Sequence, residues 1–168
     1  LFRAASIFKF PLFAGMIYQK EHGKADFSKK VKILESDKIP GCGVVQHFPG
    51  EPSIDVLTLG KLMITISDNT AANVLAEHFG IEEMKDVFDK LGMKKTRLNR
   101  RLYDFERENQ GIQNVFAPRE IGELLEKIYR RTLISRSASE FLEKVLLQQQ
   151  INHKIPARLP YDFKVAHK

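Results

Sequence analysis

SIFKFPLFAGMIYQKEHG, from Ser6 to Gly23, is apolar on nearly every side. Ile7, Phe8, Phe10, Leu12, Phe13, Met16 and Ile17 leave no polar stripe, so a helix built from them has to be surrounded by neighbours. Gly23 supplies a stop, and Ser6 stands where it can cap the start. Pro11 falls just past the first turn, where its cost is smaller than deeper in a helix. Lys9, wedged between Phe8 and Phe10, is an odd place for a solvated lysine.

Downstream, residues 24–54 carry turn-rich runs at Pro40-Gly41-Cys42-Gly43 and Pro49-Gly50-Glu51-Pro52-Ser53, and read as a long excursion over the surface. Helical periodicity resumes at Thr58, runs to Ser67 and breaks at Asp68-Asn69. It restarts as TAANVLAEHF and stops at Gly80. IEEMKDVFDKLG places Ile81, Met84, Val87, Phe88 and Leu91 on one face, with Gly92 as its stop. Residues 93–116 have no clear period, and a loop of that length is usually functional. Pro118 opens a further helix, and another is expected from Ser137 to Gln149. The ending, Phe163 to Lys168, alternates like a strand. Helices with a strand stub at the far end imply an α/β (α+β) fold. The chain would hold mainly the helical layer, with most of the covering sheet missing and both ends incomplete.

The 168 residues fit one domain, 1–168, and the composition, 43% hydrophobic and 29% charged, is that of a globular protein. The net charge of +6 comes from scattered clusters (Lys29, Lys30 and Lys32; Arg97, Arg100 and Arg101; Arg130 and Arg131) with no interleaved aromatics. That pattern argues against nucleic acid as a partner. Cys42 is the single cysteine, which excludes an internal disulfide and a thiolate zinc cluster. The five histidines never fall at metal-ligand spacing, so neither metal nor cofactor is expected. No stretch reaches membrane-spanning length, because Arg3, Lys9, Pro11 and Lys20 interrupt the apolar opening.

Three constellations can carry chemistry. In Ser6-Ile7-Phe8-Lys9 the i, i+3 spacing sets a lysine amine beside a serine hydroxyl. Desolvation can make that amine a base, and the helix start can stabilise an oxyanion. Ser67-Asp68-Asn69 sits between two apolar helices, where a short turn can aim Ser67 and Asn69 into a cleft while Asp68 holds the backbone. Lys168, on the expected strand, can meet a substrate carboxylate as a point charge. Singly, each has an ordinary explanation: a capped helix with a surface lysine, a capped helix break, a terminal lysine.

In that order, Ser-x-x-Lys, Ser-Asp-Asn and a strand lysine resemble the class A β-lactamases and penicillin-binding serine enzymes, a motif set with a known mechanism. SIFKFPL, LMITISDNTAANVL, TRLNR and IPARLP…KVAHK are similar to that family too, so the resemblance spans nearly the whole chain. It implies a β-lactamase/DD-peptidase-like fold, an extracytoplasmic location and a small-molecule β-lactam or peptidoglycan-like substrate. It further implies that Ser6 is acylated, Lys9 takes or relays its proton and Ser67 protonates the departing nitrogen. Asn69 and Lys168 would hold the substrate. Two departures matter. The Thr/Ser and Gly that the resemblance expects after Lys168 are absent, as is the strand supplying the second oxyanion N–H, so these 168 residues alone are not expected to turn over substrate. Where class A enzymes carry the glutamate that activates the deacylating water, this chain has Leu102. Asp104 and Glu106 are the nearest carboxylates, and Glu106 matches a water-holding position of the family. The leading expectation is β-lactam hydrolysis through an acyl-serine. Its rivals are a D-Ala-D-Ala peptidase or small-ester hydrolase, and a non-catalytic helical binding module, the last favoured if Lys9 is solvated.

Overall fold

In the computed structural model of the protein, which describes residues 1–160 and 163–168, the apolar run becomes the central helix. The chain enters it through a 3-10 turn over Ala5–Phe8 and continues as α1 (Lys9–Glu21). Every residue from Lys9 to Ile17 is buried, as a helix without a polar stripe requires. The helices that follow are α2 (Val56–Thr65), α3 (Asn69–Phe79), α4 (Ile81–Lys90), a short α5 (Phe105–Asn109), α6 (Pro118–Tyr129) and α7 (Arg136–Leu146). Around α1 pack α2, α3, α4 and α7, while α6 lies against α7. The close approach of α2 depends on Gly60, where a Cβ would stand 2.6 Å from the Phe13 ring.

Side-chain caps move the helix boundaries from their expected places. Asp55 accepts from the Thr58 amide at 2.8 Å, so α2 begins before Thr58. Ser135 does the same for Ala138 at 3.0 Å, and α7 starts one residue early. It also ends at Leu146 rather than Gln149, whose buried amide turns back to donate to the Ile64 carbonyl at 2.8 Å. Ser6 is not a cap: the turn begins before it, and its N-cap residue is Ala4.

Strands are short: β1 (Phe2–Arg3), β2 (Lys30–Lys32), β3 (Ser53–Asp55) and β4 (Val115–Phe116). β1 pairs antiparallel with β4, setting Phe2 opposite Phe116, and β2 pairs antiparallel with β3. The segment expected as a surface excursion therefore contains a ladder, and it sends Ile33 and Val45 into the core. No strand forms over residues 163–168. An alternating pattern becomes a strand only beside a partner, and none pairs with this segment among the described residues. Within residues 93–116, α5 and β4 punctuate the expected loop. Glu120, in the first turn of α6, closes its start by accepting from the amides of Lys94, Lys95 and Thr96. Among the described residues no helix is long and apolar enough to cross a membrane.

Replacing Gly60 by Val forces β-branched bulk against Phe13. Equilibrium urea unfolding should show a loss of about 1–3 kcal/mol, the usual cost of overpacking a filled core.

Candidate active site

Lys9 projects from the first turn of α1 and has no exposure to solvent. Its amine donates to the Ser67 carbonyl at 2.6 Å, the Ser67 hydroxyl at 3.1 Å and Asn69 Oδ1 at 2.7 Å. The Ser67 hydroxyl in turn donates to Ser6 Oγ at 3.1 Å. Ser6, Lys9, Ser67 and Asn69 thus meet at one place. The link between Ser6 and Lys9 runs through Ser67, rather than directly across one helical turn as the i, i+3 spacing suggested. Burial pushes the Lys9 amine down to about 7, with the nearby Lys168 cation pushing the same way.

The turn that supplies these acceptors is held by Asp68. It is buried, caps α3 by accepting from the Ala71 amide at 2.9 Å, and accepts from the amides of Val44 and Val45 at 2.7 and 2.9 Å. Those bonds fasten the 39–48 segment across the start of α3. Gly43 permits this approach, since its φ is +115° and a Cβ there would lie 2.2 Å from Asp68 Oδ2. Asn69 is fixed by its own amide, which donates to the Cys42 carbonyl at 2.9 Å, and by its Nδ2, which donates to the Pro40 carbonyl at 3.0 Å.

The second wall is the loop around Leu102. Asn73, one turn past Asn69 on α3, donates to the Leu102 carbonyl at 2.9 Å and accepts from the Leu102 amide at 2.7 Å. Asn114 accepts from the amides of Asn99 and Arg100 at 2.7 and 2.9 Å and donates to the Arg100 carbonyl at 2.9 Å. Its own carbonyl receives the Ala4 amide at 2.8 Å, just ahead of Ser6. Neither asparagine stood out in the sequence. The one available signal was that Asn73 follows Asn69 by four residues, on the same helical face. Ala5, Ser67 and Tyr103 all have left-handed backbone (φ 42°, 59° and 60°) and border this cleft; such strain clusters where the surrounding structure enforces a geometry.

A cavity of about 330 Å³ opens beside Ser6, lined also by Asn69, Leu102, Tyr103, Phe105 and Glu108. Neither carboxylate expected to serve deacylation lines it. Asp104 caps α5 by accepting from the Arg107 amide at 3.1 Å, and Glu106 is exposed. Glu108, which sequence reasoning did not single out, does line it, with an oxygen 3.2 Å from Arg100 Nη2. Lys168 donates to the Ile64 carbonyl at 3.2 Å, and burial lowers its amine to about 8. Among the described residues no group of three or more His, Cys, Asp or Glu side chains is placed to hold a metal ion.

The description "Beta-lactamase enzyme family" matches the chain over residues 1–168. The chain belongs to this family. It is 28% identical over 160 residues to the beta-lactamase CARB-3 of Pseudomonas aeruginosa, a match covering 94% of this chain and 54% of that protein. It therefore spans about half the length of the curated relatives it matches. A beta-lactamase from Sphaerobacter thermophilus superposes with a TM-score of 0.85 at 27% identity, covering 95% of this chain and 59% of that one. PBP-A superposes at 0.86 and 27%, covering 98% and 61%. A mutant of PBP-A in acyl-enzyme complex with penicillin G matches at 0.86 and 26%, covering 98% and 61%. These neighbours share the α/β fold, of which this chain carries the helix-dominated part.

The site's electrostatics are open to direct measurement. A lysine NMR titration of the full-length protein should show Lys9 changing charge near pH 7. Replacing Lys168 by Met should raise that midpoint, because a neighbouring cation is removed.

Proposed function

We propose that the full-length protein is a serine acyl-transfer enzyme that opens β-lactam amides through an acyl-serine on Ser6. The observation that carries this is the continuous chain from Ser6 Oγ through Ser67 Oγ to the buried Lys9 amine. A serine hydroxyl attacks only as its proton leaves, and an amine lowered to about 7 is substantially neutral at physiological pH. In the neutral form the Lys9 lone pair accepts the Ser67 proton while Ser67 accepts that of Ser6. Ser6 Oγ then bonds to the β-lactam carbonyl carbon. When the C–N bond breaks, the same chain in reverse returns a proton to the departing nitrogen from Ser67. Asn69, pinned between Lys9 and the 39–48 segment, offers an amide to the substrate, and Lys168 supplies a cation for its carboxylate. Complete burial of Lys9 speaks against the non-catalytic binding module.

Leu102 favours a second reading for the later half of the cycle. It lines the Ser6 cavity where the family resemblance expects a glutamate, and it cannot activate water. Glu108, the carboxylate lining the cavity, is engaged by the Arg100 guanidinium at 3.2 Å. The acyl-enzyme would then persist, as in a penicillin-binding D-Ala-D-Ala peptidase. The likeness to PBP-A, at a TM-score of 0.86 and 27% identity, supports that reading.

Mass spectrometry of the full-length protein mixed with penicillin G separates the two. A long-lived adduct on Ser6 supports the peptidase reading, and rapid disappearance of the adduct with release of hydrolysed penicillin supports the lactamase reading. Absence of any adduct overturns both. Ser6→Ala should abolish labelling. Leu102→Glu should speed loss of the adduct by roughly a hundredfold, the scale of general-base catalysis.

The acylation rate should also depend on pH. Lys9 must be neutral to accept a proton, so the rate climbs as pH rises through about 7. Lys168 must be charged to hold a carboxylate, so the rate declines as pH rises through about 8. The pH dependence of the second-order labelling constant should be a narrow bell between those values, and Lys168→Arg should move its falling limb upward.

A further inference from the structure

Gln149 ties together parts of the chain that lie far apart in sequence. It is buried, and its Nε2 donates at 2.8 Å to the Ile64 carbonyl, 85 residues back near the end of α2. Its Oε1 accepts from the amides of Gln150 and Ile151 at 3.0 and 3.1 Å. The Gln150 amide also donates to the Thr65 carbonyl at 2.8 Å, so the turn after α7 is fastened to two successive carbonyls at the α2 end, just ahead of Ser67. Lys168 uses the same support. Its amine donates at 3.2 Å to the Ile64 carbonyl that Gln149 already engages, its one hydrogen bond among the described residues. The residue before it rests on the same turn. The His167 amide meets the Leu146 carbonyl at 3.4 Å, and its Nε2 lies 3.0 Å from Asn152 Oδ1.

The last carbonyls of a helix have no partner within it, and Ile64 stands among them. A carbonyl oxygen offers two lone pairs. Here the shorter bond, from Gln149, fixes its direction, and the other lone pair faces the Lys168 amine. Resting on the acyl-serine reading above, we propose that Gln149 is a positioning residue for Lys168. By fixing the Ile64 carbonyl and the turn after α7, it sets the Lys168 cation where a substrate carboxylate meets it while the reacting amide lies at Ser6. Gln149 itself touches no substrate. Without it the turn loses its side-chain tie to α2, the Ile64 carbonyl loses its fixed direction, and the cation is released to water. Ser67 and Asn69 are held separately, through Asp68 and the 39–48 segment, so the groups that react keep their places.

The test compares second-order labelling of Ser6 in the full-length protein by penicillin G and by its methyl ester, which keeps the acyl group and the reacting amide and lacks the free carboxylate. The wild-type protein should prefer the acid, and Lys168→Met, which has no cation, should abolish that preference. Gln149→Met is close in volume but makes no such hydrogen bonds. It should slow labelling by the acid roughly ten- to a hundredfold, the scale of one hydrogen bond to a charged group, and leave the ester nearly unchanged. Gln149→Glu keeps an acceptor for the two amides but sets a carboxylate beside Lys168, so it should show the same selective loss even where Gln149→Met fails to fold. An equal fall for both compounds overturns the proposal, because a merely structural role would not distinguish them. A preference for the acid that survives in both variants, or is absent from the wild type, overturns it too. Should neither compound label Ser6 in the wild-type protein, the acyl-serine reading falls instead. Lysine NMR titration then reads the positioning role. Burial lowers the Lys168 amine to about 8, and Gln149→Met should raise that midpoint toward the ordinary lysine value; an unchanged midpoint overturns the proposal.

Discussion

A lysine amine sealed from water needs acceptors within the protein, and meeting that need at Lys9 shapes the surroundings of α1. Isolating a cation in a medium of low polarity costs several kcal/mol, even after relaxation. Here the cost divides between two responses. Part is relieved by three acceptors, all from the turn Ser67–Asn69. The rest appears as the fall of the amine to about 7, which lets it shed its proton near neutrality. A solvated lysine would need neither response, and would be a poor base for a serine. The apolar character of α1 therefore sets the state of the Lys9 amine as well as the fold.

Three acceptors from so short a turn require an unusual backbone, and the left-handed conformation of Ser67 supplies it. That strain persists because Asp68, the next residue, is itself over-determined. Its carboxylate joins the start of α3 to the amides of Val44 and Val45, with Gly43 allowing the contact. Asn73 and Asn114 hold the facing loop in the same manner, through side-chain groups that substitute for missing ladder partners. Each wall of the cleft thus hangs from buried polar side chains rooted in or beside α3 and the β1–β4 pair, while Ser6 and Lys9, at the entry to α1, lie between them.

This division explains what the sequence disclosed. Ser6, Lys9, Ser67 and Asn69 were legible because their two short motifs, ordinary when taken singly, stand in an order that resembles a known family's set. The long helices were legible because their periodicity continues over several turns. Asn73 and Asn114 were not, since a buried amide is recognised by its partners, and those lie 29 and 14 residues away. The carboxylates of the 93–116 segment show the same limit. α5 is only five residues long and has no apolar period to betray it. Residues two apart on a helix point about 200° from each other. Without that helix in view, Glu106 and Glu108 could not be sorted, and Glu108 is the one that reaches the cavity. The alternation at 163–168 misled for a related reason: pattern states which faces a strand would have, whereas a partner decides whether it forms.

The two halves of an acyl-transfer cycle consequently rest on different kinds of structure. Groups that would form the acyl-enzyme sit on the 3-10 turn leading into α1, at the first residue of α1 and in the turn before α3; Lys9 and Ser67 among them are buried, so changing these disturbs burial, strain and hydrogen bonding together. Groups that would decide its fate, Leu102, Tyr103, Phe105 and Glu108, lie on a loop that contributes little to the core but is clamped at its backbone. Because the clamps at Asn73 and Asn114 bind main-chain atoms, they hold the loop's path whatever side chains it carries. A side chain at Leu102 can then be exchanged for one of another chemistry without releasing the wall. On the proposed acyl-serine reading, that separation would allow a single scaffold to present either an apolar face or a carboxylate to an acylated Ser6, and so to retain the acyl group or to discharge it.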